Sequence, residues 1–291
     1  MEVIEGLAEM QTKANQLIKD GMTIGLVPTM GYLHEGHLSL MQAAHRDCRA
    51  VVVSIFVNPT QFGPNEDLER YPRDTDGDLK KCEKEGVSIV FLPHAKDIYP
   101  AGFCTYVRVE ELGSKLCGIS RPTHFQGVTT VVLKLFHLVK PHRAYFGEKD
   151  YQQLTIIRRM ADDLNLDIEI VGMPTIREAG ELAMSSRNAY LSSEERDSAL
   201  SLSRALKRAR ELVHQGEYSS GVLQKDIRRI IEGEQSTQID YVAICHPQTL
   251  EDLETIKDRA LVALAVKIGT TRLIDNCVVF AKTGRKVSWK E

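Results

Sequence analysis

The chain has 291 residues, with 40 acidic and 37 basic side chains and a formal net charge of −3. Hydrophobic residues at 43% and charged residues at 26% are ordinary globular usage, which excludes a collagenous or disordered chain. The near-balanced charge argues against a broad nucleic-acid-binding face. The longest apolar run, residues 50–57, falls far short of the ~20 residues that span a bilayer. Residues 1–6 are acidic and lack a signal-peptide profile, so a cytoplasmic protein without membrane contact is expected. The six cysteines form no C-x-x-C pair; they read as small apolar side chains in a reducing compartment.

In chain order, Leu7, Met10, Ala14, Leu17 and Ile18 recur at helical spacing and Gly21 follows as a stop. Residues 23–27 read as a short strand, 37–46 as a helix and 50–57 as a strand covered on both faces. A polar loop (58–73), a charged helix (74–85) and a strand (88–92) follow. Residues 105–109 suit a further strand, 128–139 a helix, 143–146 a strand, 151–165 a helix and 167–171 a strand. This alternation implies βαβ crossovers and a mostly parallel, Rossmann-like α/β sheet over residues 1–175. Beyond Pro174 the pattern changes. Helices at 193–214 and 220–232, then strands at 240–244, 260–267 and 272–279, predict a smaller α+β domain over 176–283, with a loose tail at 284–291.

Four constellations carry chemistry. The first, Pro28-Thr29-Met30-Gly31-Tyr32-Leu33-His34-Glu35-Gly36-His37, follows a strand and opens a helix. That is where open α/β sheets bind ligands, and a helix N-terminus suits a phosphate. His34 and His37, three residues apart, share a helical face and could donate to phosphoryl oxygens. Two other readings stay open: histidines that merely satisfy structure, and a zinc pair, although the spacing is not H-E-x-x-H and no third ligand is near. The second, Gly147-Glu148-Lys149-Asp150-Tyr151-Gln152-Gln153, offers a compact cation in Lys149 and a ribose acceptor in Asp150. Asp150 with Gln153 also reads as a capping box, and Lys149 alone as a surface charge. The third, Met184-Ser185-Ser186-Arg187-Asn188, puts two hydroxyls beside a bidentate donor, while Ser192 with Glu195 is a capping box. The fourth, Asn58-Pro59-Thr60-Gln61-Phe62, sets the neutral amide of Gln61 at a strand end, where it fixes a small polar substrate or sits in an ordinary turn. No G-x-S-x-G elbow and no P-loop appear.

The ordered segments PTMGYLHEGH, VSIFVNPTQF, NEDLERYPR, RPTHFQGV, YFGEKDYQQL and AMSSRN together resemble the pantoate–β-alanine ligase family, over about residues 28–191. HxGH resembles the wider nucleotidyltransferase signature. The resemblance implies a Rossmann-like domain with a smaller domain closing over the site. It implies ATP-dependent joining of (R)-pantoate to β-alanine, giving pantothenate, AMP and pyrophosphate, with Mg²⁺, in a homodimer. It assigns ATP contacts to Met30, Gly31, Tyr32, Leu33, His34, Glu35, Gly36, His37, Gly147, Glu148, Lys149, Asp150, Ile176, Met184, Ser185, Ser186 and Arg187. It gives pantoate to Gln61 and Gln153, β-alanine also to Gln61, and proton donation to His37. His37, His34, Lys149 and Arg187 would carry catalysis, through a pantoyl-adenylate and without a protein nucleophile; no residue is assigned to a metal. The sequence departs from the family at Gly180-Glu181, where the family has acid then glycine, at Thr123 for a common glycine, and at His137 for a common asparagine. Two alternatives remain beside this reading: another nucleotidyltransferase that forms a dinucleotide, and a nucleotide-binding module without turnover.

Overall fold

The computed structural model describes residues 1–64 and 66–282, so the tail expected at 284–291 lies outside the described residues. The chain divides into two compact units: Met1–Ile176 with Met184–Ser186, and Arg177–Ala183 with Arg187 onward. In the first unit β1 (Glu2–Ile4), α1 (Leu7–Lys19), β2 (Ile24–Thr29), α2 (Glu35–Asp47), β3 (Ala50–Ile55), α3 (Thr75–Lys84) and β4 (Ile89–Phe91) come first. The single turns α4 (Ala95–Ile98), α5 (Glu110–Gly113) and α6 (Cys117–Ser120) follow, then α7 (His124–Val139), β5 (Arg143–Gly147), α8 (Tyr151–Asp163) and β6 (Glu169–Met173).

The strands pair in parallel in the order β1-β4-β3-β2-β5-β6. Ala50, Val51, Val52 and Val53 are each at most 2% exposed, as a strand covered on both faces requires. The chain leaves β2 toward β3 and β4 on one side and reaches β5 and β6 on the other, so β2 and β5 flank the topological switch point. Their pairing ends at Leu26↔Ala144. Beyond it β2 stays paired to β3 as far as Thr29↔Ile55, and β5 to β6 as far as Gly147↔Met173. The two central strands thus part over their last three residues and open a crevice between the loops that follow them.

The second unit packs α9 (Ser193–His214) and α10 (Ser220–Glu232) on an antiparallel sheet of β7 (Thr237–Cys245), β8 (Arg259–Ile268) and β9 (Thr271–Phe280). Leu202, Leu206, Leu223 and Ile227 meet Val262, Leu264 and Val266 in its core. The Ser192–Glu195 capping box forms as expected: the Glu195 N–H donates to Ser192 Oγ and the Ser192 N–H to the Glu195 carboxylate.

Three expectations are corrected. Residues 105–109 form no strand, because Val107 bonds to a helix instead: its N–H donates to Thr130 Oγ1 and its carbonyl accepts from Thr129 Oγ1. Two helices start early: α2 at Glu35, two residues before the expected start, and α7 at His124, four residues before it. Cys104 is exposed, whereas the other five cysteines are buried. β1 and the three short helices α4, α5 and α6 escaped the sequence reading.

Candidate active site

The loop after β2 is built around one buried acid. Asp78, 1% exposed on α3, accepts the N–H groups of Tyr32 (2.7 Å, Oδ2) and Leu33 (2.7 Å, Oδ1), and Lys81 Nζ donates to the Leu33 carbonyl at 2.7 Å. Burial raises the Asp78 pKa, although the two backbone bonds work against it. The Gly31 N–H donates to Thr29 Oγ1. Gly31 has φ +81°, and a Cβ there would sit 3.0 Å from the Asp78 carboxylate. Only glycine combines that left-handed backbone with that close approach.

The two histidines close the start of α2. The Gly36 N–H donates to His34 Nδ1 at 3.2 Å and the His34 N–H to His37 Nδ1 at 3.3 Å, with ring centroids 4.1 Å apart. They form a capping box in which imidazoles stand where Ser/Thr and Glu/Gln are usual. A Cβ on Gly36 would lie 2.9 Å from the His34 ring, so the glycine is what lets the ring fold over the helix end. An Nδ1 that accepts carries no proton, so the hydrogen bonding assigns the neutral ring's proton to Nε2. Burial pushes His34 down to about 4, and the Lys149 ammonium adds to it. Burial, then His34 and Lys149, hold His37 well below the usual 6.5. The pair is therefore neutral at pH 7 and presents Nε2–H donors in a field set by Lys149. The structural reading of these histidines is right about Nδ1 and leaves Nε2 for chemistry.

Lys149 and Asp150 lie in the 3₁₀ turn Glu148–Asp150 that follows β5, across the crevice from the β2 loop. The Lys149 side chain is only 17% exposed and its Nζ is 3.9 Å from Asp150 Oδ1, so the surface-charge reading fails. Asp150 occupies the N-cap position of α8 but makes no side-chain cap bond, so the capping-box reading with Gln153 fails too. Gln153 lies in the first turn of α8. Its neighbour Gln152 serves the scaffold: Nε2 donates to the Leu112 and Lys115 carbonyls and Oε1 accepts from the Cys117 N–H.

Gln61 sits in the 3₁₀ turn Pro59–Gln61 after β3 and is 9% exposed. Its Oε1 accepts from Asn58 Nδ2 at 3.1 Å, and its Nε2 donates to Met30 Sδ at 3.0 Å. That bond joins the fourth constellation to the first. The third arrives through Ser186, whose Oγ donates to the Tyr32 carbonyl, and through Met184, whose N–H donates to the Ile176 carbonyl. The first unit thus gathers Met30, Tyr32, His34, His37, Lys149, Asp150, Gln61 and Ser186; Arg187, next in the chain, belongs to the second unit. Sequence reading missed Asp78, and it placed Asn58 in the fourth constellation without its bond to the Gly127 carbonyl. Asp78 shares its buried stripe with Cys82 at i+4, which is the signal that marks it as more than a surface acid.

Residues 177–183, where the sequence departs from the resemblance, form a tight turn. Arg177 bridges to Ala183, and the Glu181 N–H donates to the Glu178 carbonyl. Glu181 has φ +71°, a left-handed conformation at the place where the family carries glycine. Thr123 has φ −99°, so its replacement of a common glycine meets no backbone strain.

Residues 2–278 match the family model described as Pantoate-beta-alanine ligase. The "Pantothenate synthetase" of Geobacter sulfurreducens is 55% identical over 279 residues, covering 96% of this chain and 99% of that one. That of Acetivibrio thermocellus is 54% identical at the same coverage. A crystal structure of pantothenate synthetase from Thermus thermophilus superposes with a TM-score of 0.91 at 45% identity, covering 95% of this chain and 99% of that one. The pantoate-beta-alanine ligase of Francisella tularensis, complexed with beta-gamma ATP and beta-alanine, gives 0.79 at 35% identity, covering 95% and 97%. By sequence along nearly its whole length and by fold, the chain belongs to the pantoate–β-alanine ligase family.

Proposed function

We propose that this chain condenses (R)-pantoate with β-alanine, using ATP and releasing AMP and pyrophosphate, through a pantoyl-adenylate. The observation that carries this reading is the bond from the Gln61 amide to Met30. It sets a neutral donor suited to a small hydroxy-acid directly against the loop whose helix N-terminus and histidines suit phosphates.

In the first step a pantoate carboxylate oxygen attacks the α-phosphorus and pyrophosphate leaves with the bonding pair. Charge grows on the phosphoryl oxygens, and the protein's task is to meet it with fixed donors. The Nε2–H groups of His34 and His37, the N-terminus of α2 and the Lys149 ammonium are such donors. Neutral imidazoles suit this work: Nδ1 is free to accept the backbone N–H that fixes each ring, while Nε2–H is left to donate. Asp150 is assigned to the ribose, and Gln61 and Gln153 to pantoate. Ser185, Ser186 and Arg187 are assigned to the leaving phosphates on the family resemblance, as are the remaining contacts of Leu33, Glu35, Gly147, Glu148, Ile176 and Met184. In the second step the β-alanine amine attacks the acyl carbon, AMP leaves, and the amine gives up a proton to become an amide. Both steps run between substrates, so no protein nucleophile is needed.

Mg²⁺ belongs to this reading as part of the nucleotide substrate. Among the described residues no group of three or more His, Cys, Asp or Glu side chains could hold a metal, and Asp78 is committed to backbone N–H groups. No step is routed through a resident metal. Among the described residues no helix is long and apolar enough to cross a membrane. The homodimer that the family resemblance implies is checked by sedimentation, and the cytoplasmic location by cell fractionation.

The test is isotope exchange followed by product analysis. With pantoate and Mg·ATP but no β-alanine, labelled pyrophosphate should exchange into ATP; adding β-alanine should yield pantothenate by mass spectrometry. Exchange that appears only with β-alanine present contradicts a discrete adenylate. A dinucleotide product, or no ATP consumption at all, overturns the function.

A further inference from the structure

The segment Arg121-Pro122-Thr123-His124-Phe125-Gln126-Gly127-Val128 is as distinctive as the site loops, yet none of its residues has a part in the chemistry above. It runs through the start of α7, and α7 lies directly against the turn that carries Gln61. His124 Nδ1 donates to the Gln61 carbonyl at 2.8 Å and Arg121 Nη2 donates to the same oxygen at 3.2 Å. The Arg121 guanidinium also forks onto Glu66, Nε to Oε1 at 2.6 Å and Nη2 to Oε2 at 2.5 Å. From the other side Asn58 Nδ2 donates to the Gly127 carbonyl at 3.1 Å. A Cβ on Gly127 would stand 2.5 Å from the Thr60 carbonyl oxygen and 2.7 Å from the Gln61 nitrogen. The helix therefore touches the turn backbone to backbone, as only glycine permits.

We infer that Arg121 and His124 are positioning residues for Gln61: by taking its carbonyl oxygen between two donors, they fix the peptide from which its amide reaches pantoate. The inference rests on the function proposed above and deepens it. A carbonyl held by two donors fixes the peptide plane at Gln61, and the plane fixes where Cβ and the amide point. Displacements of about 1 Å in a substrate-orienting group cost up to 10²-fold in rate. Glu66 has a defined part. Burial alone would raise its pKa, but the Arg121 fork outweighs burial and holds it below the usual carboxylate range. It stays ionised, neutralises Arg121 and orients the guanidinium toward the peptide.

A rival role for Arg121 is direct capture of the pantoate carboxylate. The two roles predict opposite signs for Glu66→Gln. If Arg121 met substrate directly, a freed guanidinium would bind pantoate more tightly. If Arg121 acts through the Gln61 peptide, loosening the fork weakens pantoate binding.

Steady-state kinetics on the full chain separates them, with pantoate and ATP varied in turn and melting temperatures measured alongside. His124→Phe, which keeps a ring and removes the donor, should raise the pantoate KM about tenfold, the loss expected for one hydrogen bond of ordinary strength, with the ATP KM unchanged. His124→Asn, whose side-chain N–H can stand in for Nδ1–H, should recover most of that loss. Glu66→Gln should raise the pantoate KM about threefold to fivefold, as loosening a charged hydrogen bond at the rim would. A lowered pantoate KM in Glu66→Gln overturns the inference, as does an unchanged pantoate KM in His124→Phe. Equal rises in the pantoate and ATP constants would mark a merely structural role and also overturn it. Should His124→Phe fail to fold, Glu66→Gln decides, since its carboxyl lies nearer solvent. Wild-type protein that turns over no pantoate defeats the function and this inference with it; normal wild-type turnover with unaltered variants defeats this inference alone.

Discussion

In the first unit several buried polar side chains end on loop backbone. Asp78 holds the N–H groups of Tyr32 and Leu33, Asn58 holds the Gly127 carbonyl and the turn at Thr60, and Gln152 holds the segment from Leu112 to Cys117. In the second unit the buried acid Asp275 meets a cation instead. Arg177 forks onto Asp275, which is 3% exposed, at 2.7 and 2.9 Å, and the buried members of the hydrophobic cluster of that unit are aliphatic except for Cys277. Loops that receive ligands cannot be stabilised by packing on their ligand-facing side, so the first unit holds them from behind with hydrogen bonds. In the second unit such anchoring is found around the 177–183 turn, where Arg177 donates to the Glu181 carbonyl and Asn188 Nδ2 to the Ala183 carbonyl.

The comparison can be broken in four ways, from the largest expected effect to the smallest. Arg177→Met leaves the Asp275 carboxylate buried without its partner, which costs about 3–5 kcal/mol. Urea unfolding should show the loss in the second unit, and adding Asp275→Asn should return part of it. A single variant as stable as the wild type would show that the pair is incidental.

His37→Ala should lower adenylate formation by about 10²–10³, the loss typical of one transition-state donor. Its Nδ1 also accepts the His34 N–H, so about 1 kcal/mol of stability should go with it. Single-turnover rates beside thermal melting check both. Near-normal adenylation with a lowered melting temperature would make the histidine a cap and nothing more.

Acid should act on the first unit before the second. His34 and His124 are depressed to about 4 and His37 well below 6.5, each chiefly by burial. The folded state therefore binds fewer protons than the unfolded state between about pH 4 and 6.5, and stability falls as pH falls through that window. The second unit's described histidines are the exposed His214 and the half-exposed His246. Hydrogen exchange at pH 7 and 5 should show protection lost first in the first unit, and a uniform loss contradicts this.

Glu181→Gly should stabilise the second unit by about 1 kcal/mol, the cost of a side chain in the left-handed region. For a chain of this size that is about 2–4 °C in Tm. No change in Tm would mean that the turn relaxes around Glu181.

How much of this was legible in the sequence depends on how local the cause is. The ranges of α9 and α10 follow from local signals, the Ser192–Glu195 capping box of α9 and the apolar stripes of both, and match the expected bounds. The strands of apolar run were found because burial on both faces leaves no polar alternation. The stretch 105–109 misled because its partners, Thr129 and Thr130, lie on a helix rather than a strand. β1 is three residues long and has no period to detect. In the site, the loops after β2, β3 and β5 could be placed because they follow recognisable strands. The residues that shape them could not. Asp78 sits in the first turn of α3, where acids are usual, and only the stripe it shares with Cys82 sets it apart; Arg121 and His124 act on a carbonyl about 60 residues away in sequence.

The bond from Gln61 Nε2 to Met30 Sδ has a consequence for turnover. A thioether is a weak acceptor. The amide is satisfied enough to keep its orientation between cycles, yet any hydroxyl or carboxylate oxygen that enters outcompetes sulfur for the same N–H. Exchanging the weak acceptor for a strong one leaves no strong bond to break and no side chain to reorder, so little of the incoming ligand's affinity is lost to preparing its site. If Gln61 meets pantoate as proposed, sulfur at position 30 is a resting place from which the donor departs readily, and oxygen there would be a competitor.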